Sequence, residues 1–143
     1  MYLLDTNLVS ELRKLATGRA DPGVAEWADA HPLDECWLSA VTVKELEYGT
    51  LLVERRDPRQ GALLRAWLAQ LLADFADRII PIDEAVARRA AALHVPDPMP
   101  ESDAYIAAAA LTHDMDLVTR NTGDFGRFPG LALICPWSGD NSR

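Results

Sequence analysis

The chain has 143 residues, 49% of them hydrophobic, the size and composition of one globular domain spanning 1–143. Its 22 acids outnumber its 14 bases for a formal net charge of −8, which excludes diffuse attraction as the way it holds nucleic acid, so a phosphate partner must be reached through metal ions or a local basic patch. No apolar run reaches the roughly 18 residues of a membrane span, and Asp5 interrupts the N-terminal run where a secretory signal would continue, so a cytoplasmic protein is expected.

In chain order, Tyr2 to Leu4 predicts a short buried strand, and Asn7 to about Leu15 a helix stopped near Gly18. Gly23 to Ala30 predicts a second helix, with Asp21 or Pro22 at its start and Pro32 beyond its end. Cys36-Trp37-Leu38 is a second short strand. Thr42 and Glu45 match a capping box at the head of a helix running to about Arg55. Pro58 opens a long helix with an apolar stripe from Leu64 through Trp67, Leu68, Leu71 and Leu72 to Phe75. Arg78 to Ile82 is a third strand, and Asp83 caps a helix through about His94. The proline-rich stretch Val95 to Pro100 is expected to be extended. An alanine-rich helix follows from Ser102 or Asp103 to about His113, then a turn at Asp114 to Asp116, a strand Leu117 to Thr119, a loop Arg120 to Gly130 and a last strand Leu131 to Cys135. Strands alternating with helices imply an α/β fold, a short, mostly parallel sheet covered on both faces.

In such a sheet, ligands bind at the carboxyl ends of the strands. Asp5 follows the first strand, Asn121 and Asp124 follow the fourth, and Glu45 lies in the first turns of the helix after the second. Asp103 reaches the same edge if the proline-rich segment climbs there, since about seven extended residues at roughly 3.1 Å each exceed a strand of ~17–20 Å. Each group also has a local explanation. Asp5 can cap a helix, Glu45 can be the partner of Thr42, Asp103 can favour a helix N-terminus, and Asp124 can stabilise a turn. Converging carboxylates, however, repel one another unless a cation neutralises them, which points to a hard divalent ion.

Other chemistries lack support. His31, His94 and His113 are scattered without H-E-x-x-H spacing, and the chain has neither G-x-S-x-G nor a Walker loop. Cys36 and Cys135 fall in apolar strands and read as buried free thiols. The four tryptophans read as core or interface, and Ser39 first as a helix cap. Arg13, Lys14, Arg55, Arg56, Arg59, Arg120 and Arg127 are candidates for a basic patch, with solvated helix ends as the simpler reading.

Four segments together resemble a known family: L-L-D-T-N from Leu3, the run from Leu38 to Gly49, S-D-A-Y-I-A-A-A-A from Ser102, and T-R-N-T-G-D-F from Thr119. They look like the signature segments of PIN-domain ribonucleases, closest to VapC toxins of type II toxin–antitoxin modules and their FitB-like branch, with which Pro136-Trp137 also agrees. The resemblance implies a PIN-like three-layer fold, metal-holding acids at Asp5, Glu45 and Asp103, and support from Thr6 and Asn7, with Ser39 and Thr119 in the same segments. In many relatives an acid occupies the place of Asn121, so Asp124 is expected to supply that charge. It further implies Mg²⁺ or Mn²⁺, an RNA substrate, a homodimer and a VapB-type antitoxin. The helix faces near Leu46, Leu51 and Leu52 and along Leu64 to Phe75 are docking candidates, with ordinary core as the competing reading. A haloacid-dehalogenase-type phosphatase is disfavoured by Asn7, where that family carries a second acid, and a non-catalytic PIN-like module remains open.

Overall fold

The strands are short because each is a buried apolar run ended by a polar residue or a turn. In the computed structural model, which describes residues 1–139, they are β1 (Tyr2–Leu4), β2 (Cys36–Ser39), β3 (Ile79–Ile80), β4 (Asp116–Val118) and β5 (Leu133–Ile134). They form one sheet in the order β3-β2-β1-β4-β5, and every pairing is parallel. The order runs outward from β1 in both directions, so the chain reverses its sense of winding beside β1, and a crevice opens there at the carboxyl ends.

Side-chain alternation along the strands divides the core in two. Leu3 and Leu117 face one layer, with α5 (Glu84–Leu93) and α6 (Glu101–Thr112) packed on it. Leu4 and Val118 face the other, against α1 (Thr6–Leu12), α2 (Pro22–Ala30), α3 (Ala40–Arg56) and α4 (Pro58–Asp74). Ala107 to Ala110 are all buried, and these small side chains let α6 lie close to the sheet. Each fully buried Leu or Phe contributes roughly 1.5–3 kcal/mol relative to exposure. On α3 and α4, Leu46, Leu68 and Phe75 are core, whereas Leu51 and Leu52 are exposed. Arg65 on α4 clamps the pair by bonding both Glu47 oxygens and Glu54 on α3.

Asp21, Asp57 and Asp83 cap α2, α4 and α5, accepting backbone N–H groups that the first turn leaves unpaired. Several expectations need correction. Thr42 and Glu45 form no capping box: Ser39 caps α3 by accepting from the Val41 N–H, so both residues lie inside the helix with their side chains free to act elsewhere. The expected loop after Thr119 contains a short helix, α7 (Thr122–Phe125), anchored by the buried Phe125. α6 begins at Glu101, Asp116 belongs to β4 rather than to a turn, and β3 is shorter than Arg78 to Ile82. Both cysteines are thiols outside any disulfide, Cys36 buried and Cys135 half-buried just beyond β5. No described helix is long and apolar enough to cross a membrane.

Candidate metal centre

Asp5 ends β1 and caps α1, so strand and helix together fix its backbone at the crevice. Its Oδ1 accepts the Thr6 N–H at 2.8 Å and its Oδ2 accepts the Thr119 hydroxyl at 2.6 Å. Capping α1 thus occupies one carboxylate oxygen, and the other turns to Thr119. The residue is only 5% exposed. Burial pushes its carboxyl above the usual aspartate range and the charge of Glu45 adds to this, against the hydrogen bonds from Thr119, Thr6 and Asn7.

Glu45 is reached through hydroxyls. Thr6 donates its hydroxyl hydrogen to Glu45 Oε1 at 2.7 Å, and the Thr6 and Thr42 oxygens lie 2.9 Å apart. A threonine hydroxyl has one hydrogen, so Thr42 donates to Thr6, and the relay runs Thr42 to Thr6 to Glu45. Thr42 is fully buried and was missed as a site residue; its signal was a position three residues before Glu45 on one helix face. Ser39, fully buried, serves the site by starting α3 at this edge.

Asp103 lies in the first turn of α6, whose N-cap, Pro100, offers no side-chain bond. The segment from Val95 to Pro100 is not extended as expected: it bends, with the Met99 N–H folded back onto His94 Nδ1, yet Asp103 beyond it stands near Asp5. Burial pushes the Asp103 carboxyl up, and so do the charges of Asp5, Asp124 and Glu45. The other three acids thus all act on Asp103. Asp124 is exposed in α7. Asn121 caps α7 without a side-chain bond, while its N–H donates to Thr119 Oγ1 at 2.9 Å. Asn7 is exposed, its side chain favours the ionised form of Asp5, and its Oδ1 accepts the Arg120 N–H at 3.5 Å. The histidines stay outside: His31 stacks on Trp27, and His94 Nδ1 accepts the Met99 N–H.

No cation of the described residues is among the groups that shift Asp103, and the neighbouring carboxylates push its carboxyl up. Among the described residues no three His, Cys, Asp or Glu side chains are gathered closely enough to hold a metal ion by themselves. Hard oxygens on an open edge fit an ion of the magnesium type, which keeps several waters and needs only one or two direct carboxylates.

The PIN-domain family profile matches residues 2–131. This chain belongs to the PIN-domain family. Toxin FitB of Neisseria gonorrhoeae is 37% identical over 144 residues, covering 96% of this chain and 99% of that protein. VapC ribonuclease Y4jK of Sinorhizobium fredii is 34% identical, covering 96% and 98%. A crystal structure of FitAcB from Neisseria gonorrhoeae superposes with a TM-score of 0.82 at 35% identity, covering 96% of this chain and 99% of that one. A structure of FitAB bound to an IR36 DNA fragment gives 0.82 at 33% identity over the whole of both chains. This PIN domain is of the VapC toxin type, as the sequence segments imply. The phosphatase alternative falls with the family assignment.

Proposed function

We propose that this protein is the endoribonuclease toxin of a type II toxin–antitoxin module, hydrolysing RNA phosphodiester bonds with a divalent ion held by Asp5, Glu45, Asp103 and Asp124. The observation that carries the reading is the gathering of acids at the carboxyl edge of the sheet, where Asp5 is held by Thr119, Glu45 by Thr6, and both act with Asp124 on Asp103 at the head of α6. PIN-domain ribonucleases work with divalent metals, and Mg²⁺ or Mn²⁺ suits these ligands. When bound, the ion supplies an activated water and charge stabilisation for in-line attack on phosphorus.

The chain's own residues do the positioning. Thr119 and the Thr6 N–H hold both Asp5 oxygens in place, leaving the carboxylate's remaining lone pairs for an ion. Thr6 aims Glu45, and Thr42 steadies Thr6. Asp124 brings a charge to the loop where Asn121 has none, while Asn121 keeps an amide to orient a water or the substrate. No covalent intermediate is involved. A single-stranded RNA segment is the favoured substrate, because its bases and backbone are accessible.

The partners proposed are a second copy of the chain and a VapB-type antitoxin, whose basic side chains would compete with the ion for the acids. Exposed Leu51 and Leu52 on α3 offer apolar surface to such partners. The setting proposed is the cytoplasm. Calorimetric titration of Mg²⁺ or Mn²⁺ into wild type and Asp5→Asn tests the site, with binding expected in the wild type and lost in the variant. Metal-dependent cleavage of RNA separates this reading from a non-catalytic PIN-like module, which would bind a partner without turnover.

A further inference from the structure

An acidic protein that works on a polyanion needs a cation at the working edge, and Arg120 is the one held there on an aromatic ring. Lys14 is paired with Glu11, and Arg127 donates to the carbonyls of Leu93 and Asp97. Arg55 and Arg56 close α3 at the end far from Ser39, and Arg13, just past α1, lines a cavity with Thr6 and Glu45 without an aromatic ring to hold it. Arg120 differs. It is exposed, it directly follows Thr119, and among the described residues its guanidinium forms no ion pair. Its backbone is tied to the site, since its N–H donates to Asn7 Oδ1, and Asn7 and Thr119 flank Asp5.

The guanidinium is oriented as well. It lies 5.7 Å from the centroid of the Trp137 ring, which is itself buried. The segment carrying Trp137 is pinned by Asp21, which accepts both the N–H and the hydroxyl of Ser138 at 2.8 and 2.7 Å while capping α2. Gly23 allows this approach, because a Cβ there would overlap the Pro136 carbonyl oxygen. An arginine stacked on an indole keeps its N–H edges open to a phosphate while losing much of its rotational freedom beforehand.

We propose that Arg120, seated on Trp137, is the residue that holds a backbone phosphate of single-stranded RNA beside the acid cluster. It is a substrate-positioning residue, and the proposal rests on the ribonuclease reading above. It also accounts for how a chain of net charge −8 grips RNA: the ion faces the scissile phosphate and Arg120 a neighbouring one. One fewer phosphate contact lowers the salt dependence of binding to single strands by about 0.7 in the log–log slope.

The test compares labelled single-stranded RNA binding to Asp5→Asn and to Asp5→Asn with Arg120→Ala, in Mg²⁺ over a range of salt, together with steady-state cleavage by the single variant Arg120→Ala. The expected result is a several-fold loss of affinity at low salt, a slope shallower by about 0.7, and a rise in KM exceeding any fall in kcat. Arg120→Lys should restore the slope and part of the affinity, and Trp137→Leu should weaken binding with the slope kept. Wild-type affinity and slope in the Arg120→Ala protein overturn the proposal, as does an Arg120→Lys protein as impaired as Arg120→Ala. If the wild type cleaves RNA and Arg120→Ala binds it normally, this proposal fails alone. If the wild type binds RNA through Arg120 without metal-dependent cleavage, the ribonuclease reading fails and the phosphate contact stands. Absence of any RNA binding overturns both.

Discussion

Thr119 and Asp5, 114 residues apart, share a 2.6 Å hydrogen bond in which the threonine hydroxyl donates to Asp5 Oδ2. The two residues follow neighbouring parallel strands, so the bond spans the crevice beside β1 and joins its walls. It holds a buried carboxylate in its ionised form against the cost of burial. Thr119→Val keeps the shape and removes the donor. Metal affinity or cleavage should fall by about 10–100-fold, the usual cost of losing a residue that orients a metal ligand. Thr119→Ser should recover most of the loss, and isothermal titration with Mg²⁺ makes the comparison.

Asp103 yields a prediction on stability and its pH dependence. Its carboxyl titrates above the ordinary value of 3.8, so the folded state binds that proton more tightly than the unfolded chain does. Ionised Asp103 therefore destabilises the fold at neutral pH. The penalty is relieved as pH falls through the raised pKa and disappears below 3.8. In EDTA, Asp103→Asn should melt no lower than wild type near neutrality, and any advantage should shrink on acidification. A divalent ion should reverse the order by stabilising the wild type. Thermal melts across that range read both effects, and a large drop for Asp103→Asn in EDTA would restore the capping role.

The loop after β4 offers two candidates for the fourth acid's work. Asp124 acts on Asp103, whereas Asn121 carries no charge. Asp124→Ala should therefore reduce metal-dependent cleavage by a large factor, and Asn121→Asp should keep or raise it. Single-turnover rates at saturating Mg²⁺ separate lost chemistry from weakened metal affinity. A silent Asp124→Ala with a damaging Asn121→Ala would assign the role to the amide.

Gly23→Ala addresses the latch under Trp137. The added methyl would overlap the Pro136 carbonyl oxygen and crowd the Ser138 nitrogen at 2.7 Å. Overpacking of this kind costs about 1–3 kcal/mol, so the melting temperature should drop. Loss of the Arg120 seat should also weaken RNA binding more than a comparable destabilisation elsewhere, for which Asp57→Ala, at the head of α4, is the control. That variant removes a helix cap worth about 1 kcal/mol without touching the latch.

What the sequence determined by itself were the features whose physics is local or topological. Apolar runs ended by Asp5 and Ser39 marked strands leading into helices, and Asp21 and Asp83 marked helix starts. Alternation of strand and helix implied a parallel sheet, and a parallel sheet sends residues after its strands to one edge, so Asp5, Glu45, Asp103 and Asp124 could be grouped before any coordinates. The tertiary structure alone decided which neighbour each polar group takes. Thr42 and Glu45 fit a local capping pattern, yet Ser39 had already supplied the cap, and both side chains turned to Thr6 across the gap between α1 and α3. The bond from Thr119 to Asp5, the seat of Arg120 on Trp137 and the grip of Asp21 on Ser138 are likewise contacts between distant segments. A hydroxyl, a guanidinium or a carboxylate has several possible local partners, and only packing of the layers chooses among them.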